Sequence, residues 1–431
     1  MSEVLTLRAL TGPPGSRLAS LLGSGLEPVA PMRGAVGCLE RTVAEVSPVA
    51  SEGPPLPEGA ARPEALAARR RAAGDTLRWG EPVVVGSLRE VLGLCHARGR
   101  SSVDVVRADP SLLTAMQIGA WFDAPWRTRV LRRLAGGRMP RLGLLTHRWL
   151  LALADLAFWA GVRDRATPAE WQRLTAGSYV ALVYHRFAGE LKPGQERVDI
   201  APRRFARQLR ALRLAGYRPI GAEELVSFHS GAADSPPRRR IAITVDDGLA
   251  DCVPPLTRAA GWGPQLFVPT GAIGGRADWL DGEQVASWEQ LGALAATGVQ
   301  IGSHLRHHRR LTRLDPAERD LELAGSLDDL RRHLRRPLEI VTYPHGDYDA
   351  STCRAARDAG YRAAFATEKG RNGAGTDPHC LRRVSVHGQD GVLAVLWKAG
   401  TGEGLPAWWL RVRALLRRAP EARASRAGGD R

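Results

Sequence analysis

The 431 residues leave room for two domains, or for one large domain with appendages. Hydrophobic residues make up 44% and charged residues 25%, which fits an ordinary soluble globular protein. The formal net charge of +16 is carried almost wholly by arginine, since lysine occurs only at Lys192, Lys369 and Lys398. Such an excess suits either a GC-rich coding bias or attraction to anionic partners such as phosphorylated sugars, lipid headgroups or nucleic acid.

The opening MSEVLTLRAL has an early acidic residue and no long apolar run, so no signal peptide is expected. The best apolar stretch, 142–162, carries His147, Arg148 and Asp155. A charge at bilayer depth costs about 2.5–3.5 kcal/mol, so a helix buried in protein is expected there. The cysteines at 38, 95, 252, 353 and 380 form no C-x-x-C pair, which argues against a disulfide framework or a thiolate zinc site. A reducing cytoplasm is the expected location.

In chain order, residues 1–75 are poorly defined and end in a Pro/Ala/Gly-rich linker at 47–74. Residues 76–177 read as a small α/β and helical region. The expected elements are a strand at 82–86, a helix at 87–99, a strand at 101–109 and helices at 111–135 and 141–162. From residue 179 the rhythm is regular. Apolar runs at 179–185, 241–247, 265–271, 299–304, 338–344 and 362–367 predict strands. Amphipathic segments at 202–215, 253–261, 287–297, 316–335 and 350–360 predict helices between them. Alternating β and α predicts parallel strands with helical crossovers, in a barrel or an enclosed sheet.

The strand ends carry unusual residues. His185 closes the first, Asp246 and Asp247 the second, His304 the fourth, and Pro344, His345 and Gly346 the fifth. In parallel β/α barrels the site lies at the carboxyl ends of the strands. Two adjacent carboxylates repel unless a cation sits between them. His304 and His308, four apart, would face one side of a helical turn and join Asp247 as a ligand set for zinc with a position open to water. His307 between them is a weaker candidate. Such a cation lowers the pKa of its water, and Asp246 is placed to take the proton.

These residues resemble the motifs of the polysaccharide deacetylase family, the family-four carbohydrate esterases. TVDDG at 244–248 is similar to the family's T-F-D-D-G, SHLRHHRRL at 303–311 to its S-H-T-x-x-H-P-x-L, and YPHGDYD at 343–349 to a variant of its third motif. LVYHRF at 182–187 and the segments 205–225 and 288–304 match as well. The resemblance covers about 178–400, followed by a basic tail at 401–431. It implies a distorted (β/α) barrel and a metal-dependent hydrolase that releases acetate from an N-acetylated sugar or glycan. It further implies Asp246 as catalytic base and Asp247, His304 and His308 as ligands to a divalent metal, with zinc favoured over cobalt, nickel or manganese. A backbone N–H near His345 and Gly346, beside Tyr343 and Pro344, would serve the oxyanion.

The third motif departs from the family pattern in lacking its arginine, since Val341 and Thr342 stand there and His345 replaces an aromatic residue. Arg383 is the candidate to steer the carboxylates instead, or else covers the barrel end. His387, in RRVSVHG at 382–388, is the candidate catalytic acid or a plain loop histidine. His185 is expected to line substrate or to support the ligands from behind, the alternative being a core histidine, and Asp251 is expected to cap the next helix. Rival readings are an amidase or O-deacetylase on another small substrate, and an inactive carbohydrate-binding barrel. No zinc finger, helix-turn-helix or aromatic-interleaved basic stripe is present, so nucleic acid is not expected as a partner. The tail at 405–431 sets Trp408, Trp409, Val412, Leu415 and Leu416 opposite its arginines. It is expected either to rest peripherally on an anionic membrane or to dock on the barrel.

Overall fold

The computed structural model describes residues 88–124, 126–134, 147–188, 199–231 and 239–406, with short pieces at 5–7, 39–43 and 82–84 and single positions 57, 65 and 409. The linker at 47–74 and the basic tail therefore lie outside the described residues, apart from those single positions and 401–406. The chain divides into two compact units. One takes residues 1–178, 227–238 and 372–377, and the other takes 179–226, 239–371 and 378–431.

The first unit holds an antiparallel sheet of β1 (Leu5–Leu7), β2 (Leu39–Val43) and β3 (Pro82–Val84). Its helices are α1 (Leu88–Ala108), α2 (Trp126–Leu134), α3 (His147–Arg165) and α4 (Pro168–Thr175). The strand expected at 101–109 is instead the second half of α1. Ser102 Oγ bonds back to the Arg98 carbonyl at 2.8 Å, and Val103 and Val105 are buried, so packing overrides the β-branched run. A Cβ on Gly99 would collide with the Phe158 carbonyl, and one on Gly161 with the His96 carbonyl, so α1 and α3 approach backbone to backbone. The helix expected at 111–135 is two 3₁₀ turns, Pro110–Thr114 and Gln117–Asp123, followed by α2. Asp155, a charge in the apolar stretch, is gripped by Arg132 at 2.6 and 2.8 Å. No helix among the described residues is long and apolar enough to cross a membrane.

The second unit is a parallel barrel with helical crossovers. Its elements are β4 (Ser178–Tyr184), α5 (Pro202–Leu214), β5 (Arg240–Val245), α6 (Val253–Arg258), β6 (Gln265–Val268), α7 (Trp288–Ala296) and β7 (Gln300–Ser303). They continue with α8 (Pro316–His333), β8 (Ile340–Thr342), α9 (Ala350–Asp358), β9 (Ala363–Phe365), β10 (Arg383–Ser385) and α10 (Val392–Thr401). The sheet order is β9-β8-β7-β6-β5-β4, with β10 on the far side of β4, and each of these pairings is parallel. Phe365 at the end of β9 bridges Leu381, two residues before β10, so the order closes on itself as a distorted (β/α) barrel. Every residue of β4 is buried, as an apolar run covered on both faces requires. Val180, Leu182, Ile241, Ile243 and Leu266 belong to one continuous core.

The helix expected at 253–261 breaks into α6 and a 3₁₀ turn at Ala260–Trp262. α7 and α9 each start on a capping box, Ser287 with Gln290 and Asp349 with Thr352. Sequence reading did not anticipate α4, the helix Ala222–His229, β10 or α10.

Candidate active site and metal centre

β5 runs into Asp246 and then turns sharply at Asp247, whose φ is 70°. Leu305, His308 and His345 share this left-handed conformation at 64°, 56° and 58°. Each non-glycine residue held there costs on the order of 1–3 kcal/mol, and such residues gather at functional sites. Four of the six among the described residues lie on the loops at the carboxyl ends of β5, β7 and β8.

The histidines do not ride on a helical turn. After β7 the chain passes through a non-helical turn at residues 305–307, and the left-handed Leu305 and His308 swing both imidazoles to one place. His304 Nε2 is 3.7 Å and His308 Nε2 3.4 Å from Asp247 Oδ1. The three donor atoms of the set all lie within 4.8 Å of one another, and all three residues are buried. Two donors bound tetrahedrally to one zinc would be roughly 3.3 Å apart. The observed gaps therefore suit an ion between the groups better than direct hydrogen bonds.

The surroundings fit a cation as well. His304 Nδ1 meets the Thr342 carbonyl at 2.9 Å and Thr342 Oγ1 at 2.5 Å, which fixes the ring with Nε2 free to coordinate. Burial pulls the His304 imidazole down to about 4, against the pull of Asp246 and Asp247, so it is neutral at neutral pH. Trp279 donates its Nε1–H to Asp247 Oδ1 at 3.2 Å and stacks on His308 with ring centroids 4.5 Å apart. Burial works to raise the Asp247 carboxyl. The neighbouring imidazoles, His308 first among them, with His185 and His304, overcome it and hold the group well below its ordinary range.

Asp246 has a different partner. Arg383 grips it with two parallel bonds, Nη1 to Oδ1 at 2.7 Å and Nη2 to Oδ2 at 2.8 Å. Arg383 comes from the start of β10, is almost wholly buried, and also donates from Nε to the Ala366 carbonyl at 2.9 Å. Burial pushes the Asp246 carboxyl up, but the Arg383 charge leads a group of interactions that lowers it below the usual value. The arginine that pairs with Asp246 thus comes from after β9 and not from the third motif. Thr342, which stands in that motif, holds a metal-ligand candidate in place.

The remaining candidates separate by position. His185 is half-buried, its Nδ1 is buried without a partner, and it is among the neighbours that lower both carboxylates. His345 is exposed, with its ring 4.8 Å from that of His308. The Gly346 amide donates to the Tyr343 carbonyl at 2.9 Å inside the turn, and a Cβ there would collide with Thr367 Oγ1. Tyr343 is fully buried and its hydroxyl donates to the His379 carbonyl at 3.0 Å, so it supports the loop from within the core. Pro344 is buried in the same turn. His387 is exposed, and its backbone N–H donates to Asp390 Oδ2 at 2.8 Å. His307 is turned away to Glu322, with Nδ1 2.6 Å from Oε1. Asp251 caps no helix through its side chain. Burial raises its carboxyl to about 6 and the Cys252 thiol donates to it at 3.3 Å.

Sequence reading missed Trp279 and the role of Thr342. Both act on residues more than thirty positions away, and neither lies in a run with a recognisable spacing. Trp279→Phe keeps the ring stack and removes the N–H. The expected result is a roughly 10–100-fold loss of metal affinity, read by competition with a chelating dye.

Residues 233–364 match the family model described as polysaccharide deacetylase. A Bacillus subtilis protein that carries a polysaccharide deacetylase name, YxkH, is 26% identical over 190 residues, which are 43% of this chain and 65% of that protein. Among solved structures, the Streptococcus pyogenes deacetylase PplD in complex with acetate is 20% identical. That match covers 52% of this chain and 98% of its own with a TM-score of 0.46. IcaB from Ammonifex degensii is 24% identical, covering 52% and 97% with a TM-score of 0.43. The segment 233–364, which carries Asp246, Asp247, His304 and His308, thus bears the likeness of the polysaccharide deacetylase family, and it lies in the C-terminal half of the chain.

Proposed function

We propose that the C-terminal unit is a metal-dependent hydrolase that removes an N-acetyl group from an amino sugar or glycan. The observation that carries this reading is the convergence of Asp247, His304 and His308 beside a second carboxylate, Asp246, held by Arg383. Asp247, His304 and His308 would hold the cation, and the donor set favours zinc. When bound, it supplies Lewis acidity, polarising an amide carbonyl and drawing the pKa of water toward about 7.

Asp246 acts as the base. Its lowered pKa keeps it a carboxylate across the neutral range, and Arg383 takes only one lone pair from each oxygen, leaving others to accept a proton from attacking water. Arg383 fixes the orientation in which that transfer occurs. The Gly346 amide is spent within its turn, so the His345 amide is assigned to the developing oxyanion. His185 lines the substrate side, and the proton returned to the departing amine is assigned to His387 on the loop after β10.

Acetate release from a panel of N-acetylated sugars and oligosaccharides tests the reading. Release is expected from at least one member, abolished by chelator and restored by added zinc. Release unaffected by chelator would reject the metal role.

A further inference from the structure

Four cysteines lie among the described residues, at 95, 252, 353 and 380. Cys95 and Cys252 are buried singly, and burial raises both thiols, Cys95 to about 11. The other two converge. Cys353 sits in the first turns of α9, and Cys380 ends the 3₁₀ turn Pro378–Cys380 that leads into β10. Their sulfurs are 2.9 Å apart although 27 residues separate them along the chain. Cys353 is 6% exposed, whereas Cys380 is partly open to solvent. This pairing was invisible to sequence spacing, which spoke against a disulfide.

We propose that Cys353 and Cys380 are a redox modification site that closes to an intramolecular disulfide on meeting a disulfide donor such as oxidised glutathione. The accessible Cys380 gives up its proton, and its sulfur attacks one sulfur of the donor. A mixed disulfide forms and one glutathione thiol leaves. The Cys353 sulfur, after losing its proton, then attacks Cys380 and releases the second glutathione. The two cysteines lose two electrons and two protons, and the donor gains them as two thiols. The new bond ties α9 to the segment that carries Arg383 to Asp246. The Tyr343 hydroxyl already holds that segment through the His379 carbonyl. This site does not rest on the hydrolase reading.

The test incubates the full chain in glutathione buffers of rising oxidised fraction, alkylates it after denaturation, and maps its peptides by mass. Oxidation is expected to protect two of the five cysteines, with the Cys353 peptide joined to the Cys380 peptide. The crosslink should raise Tm by about 5–10 °C. Cys353→Ser and Cys380→Ser should each abolish that shift. Alkylation of both residues at the most oxidising ratio overturns the proposal. So does a crosslink through a different pair, or glutathione retained on Cys380 while Cys353 stays free.

Discussion

Asp246→Asn is expected to lower kcat by about 10²–10⁴ while the metal remains bound, because the substitution removes a general base and no ligand. The amide keeps the shape of the carboxylate. It replaces one acceptor oxygen by an NH₂ that faces Arg383, so some local rearrangement accompanies the loss. Steady-state acetate release with metal content measured on the same sample separates the two effects. A variant with full metal and unchanged kcat would remove Asp246 from the chemistry. A variant that also loses its metal would show that Asp246 and Asp247 share the ligand role.

Arg383→Ala carries the largest expected cost in stability. Arg383 is 1% exposed and the Asp246 side chain 4% exposed, so the loss of the guanidinium leaves a buried carboxylate without its directly bonded countercharge. Breaking a buried pair from one side costs about 3–5 kcal/mol. The folded-state pKa of Asp246 should rise, because burial pushes it upward once the Arg383 charge is gone. Arg383→Lys restores charge without the planar fork and should recover only part of the loss. The double variant Asp246→Asn/Arg383→Ala should be more stable than Arg383→Ala alone, since no charge is left stranded. Urea unfolding of the four proteins measures this. Equal stability of Arg383→Ala and the wild type would mean that the pair contributes nothing.

The barrel was readable because its strands are nearly continuous apolar runs, and those runs end where their polar residues mark the site. Local signals failed where distant packing decides. The segment 101–109 is rich in β-branched residues yet helical, since α1 must lie against α3 through facing glycines. The spacing of His304 and His308 gave their proximity through an assumed helical turn. The chain instead achieves it with two left-handed residues. The roles of Trp279 and Thr342 and the pairing of Cys353 with Cys380 escaped notice because each meets its partner across the fold, 32, 38 and 27 residues away. Arg383 was visible only as a candidate, because its partner Asp246 is 137 residues distant.

The most direct measurement is elemental analysis of bound metal after zinc loading and exhaustive dialysis, on the wild type and on Asp247→Ala, His304→Ala and His308→Ala. The wild type should retain a single ion per chain, and each variant should fall to background while remaining folded by circular dichroism. A wild type that retains no ion, or variants that retain as much as it does, would contradict the site.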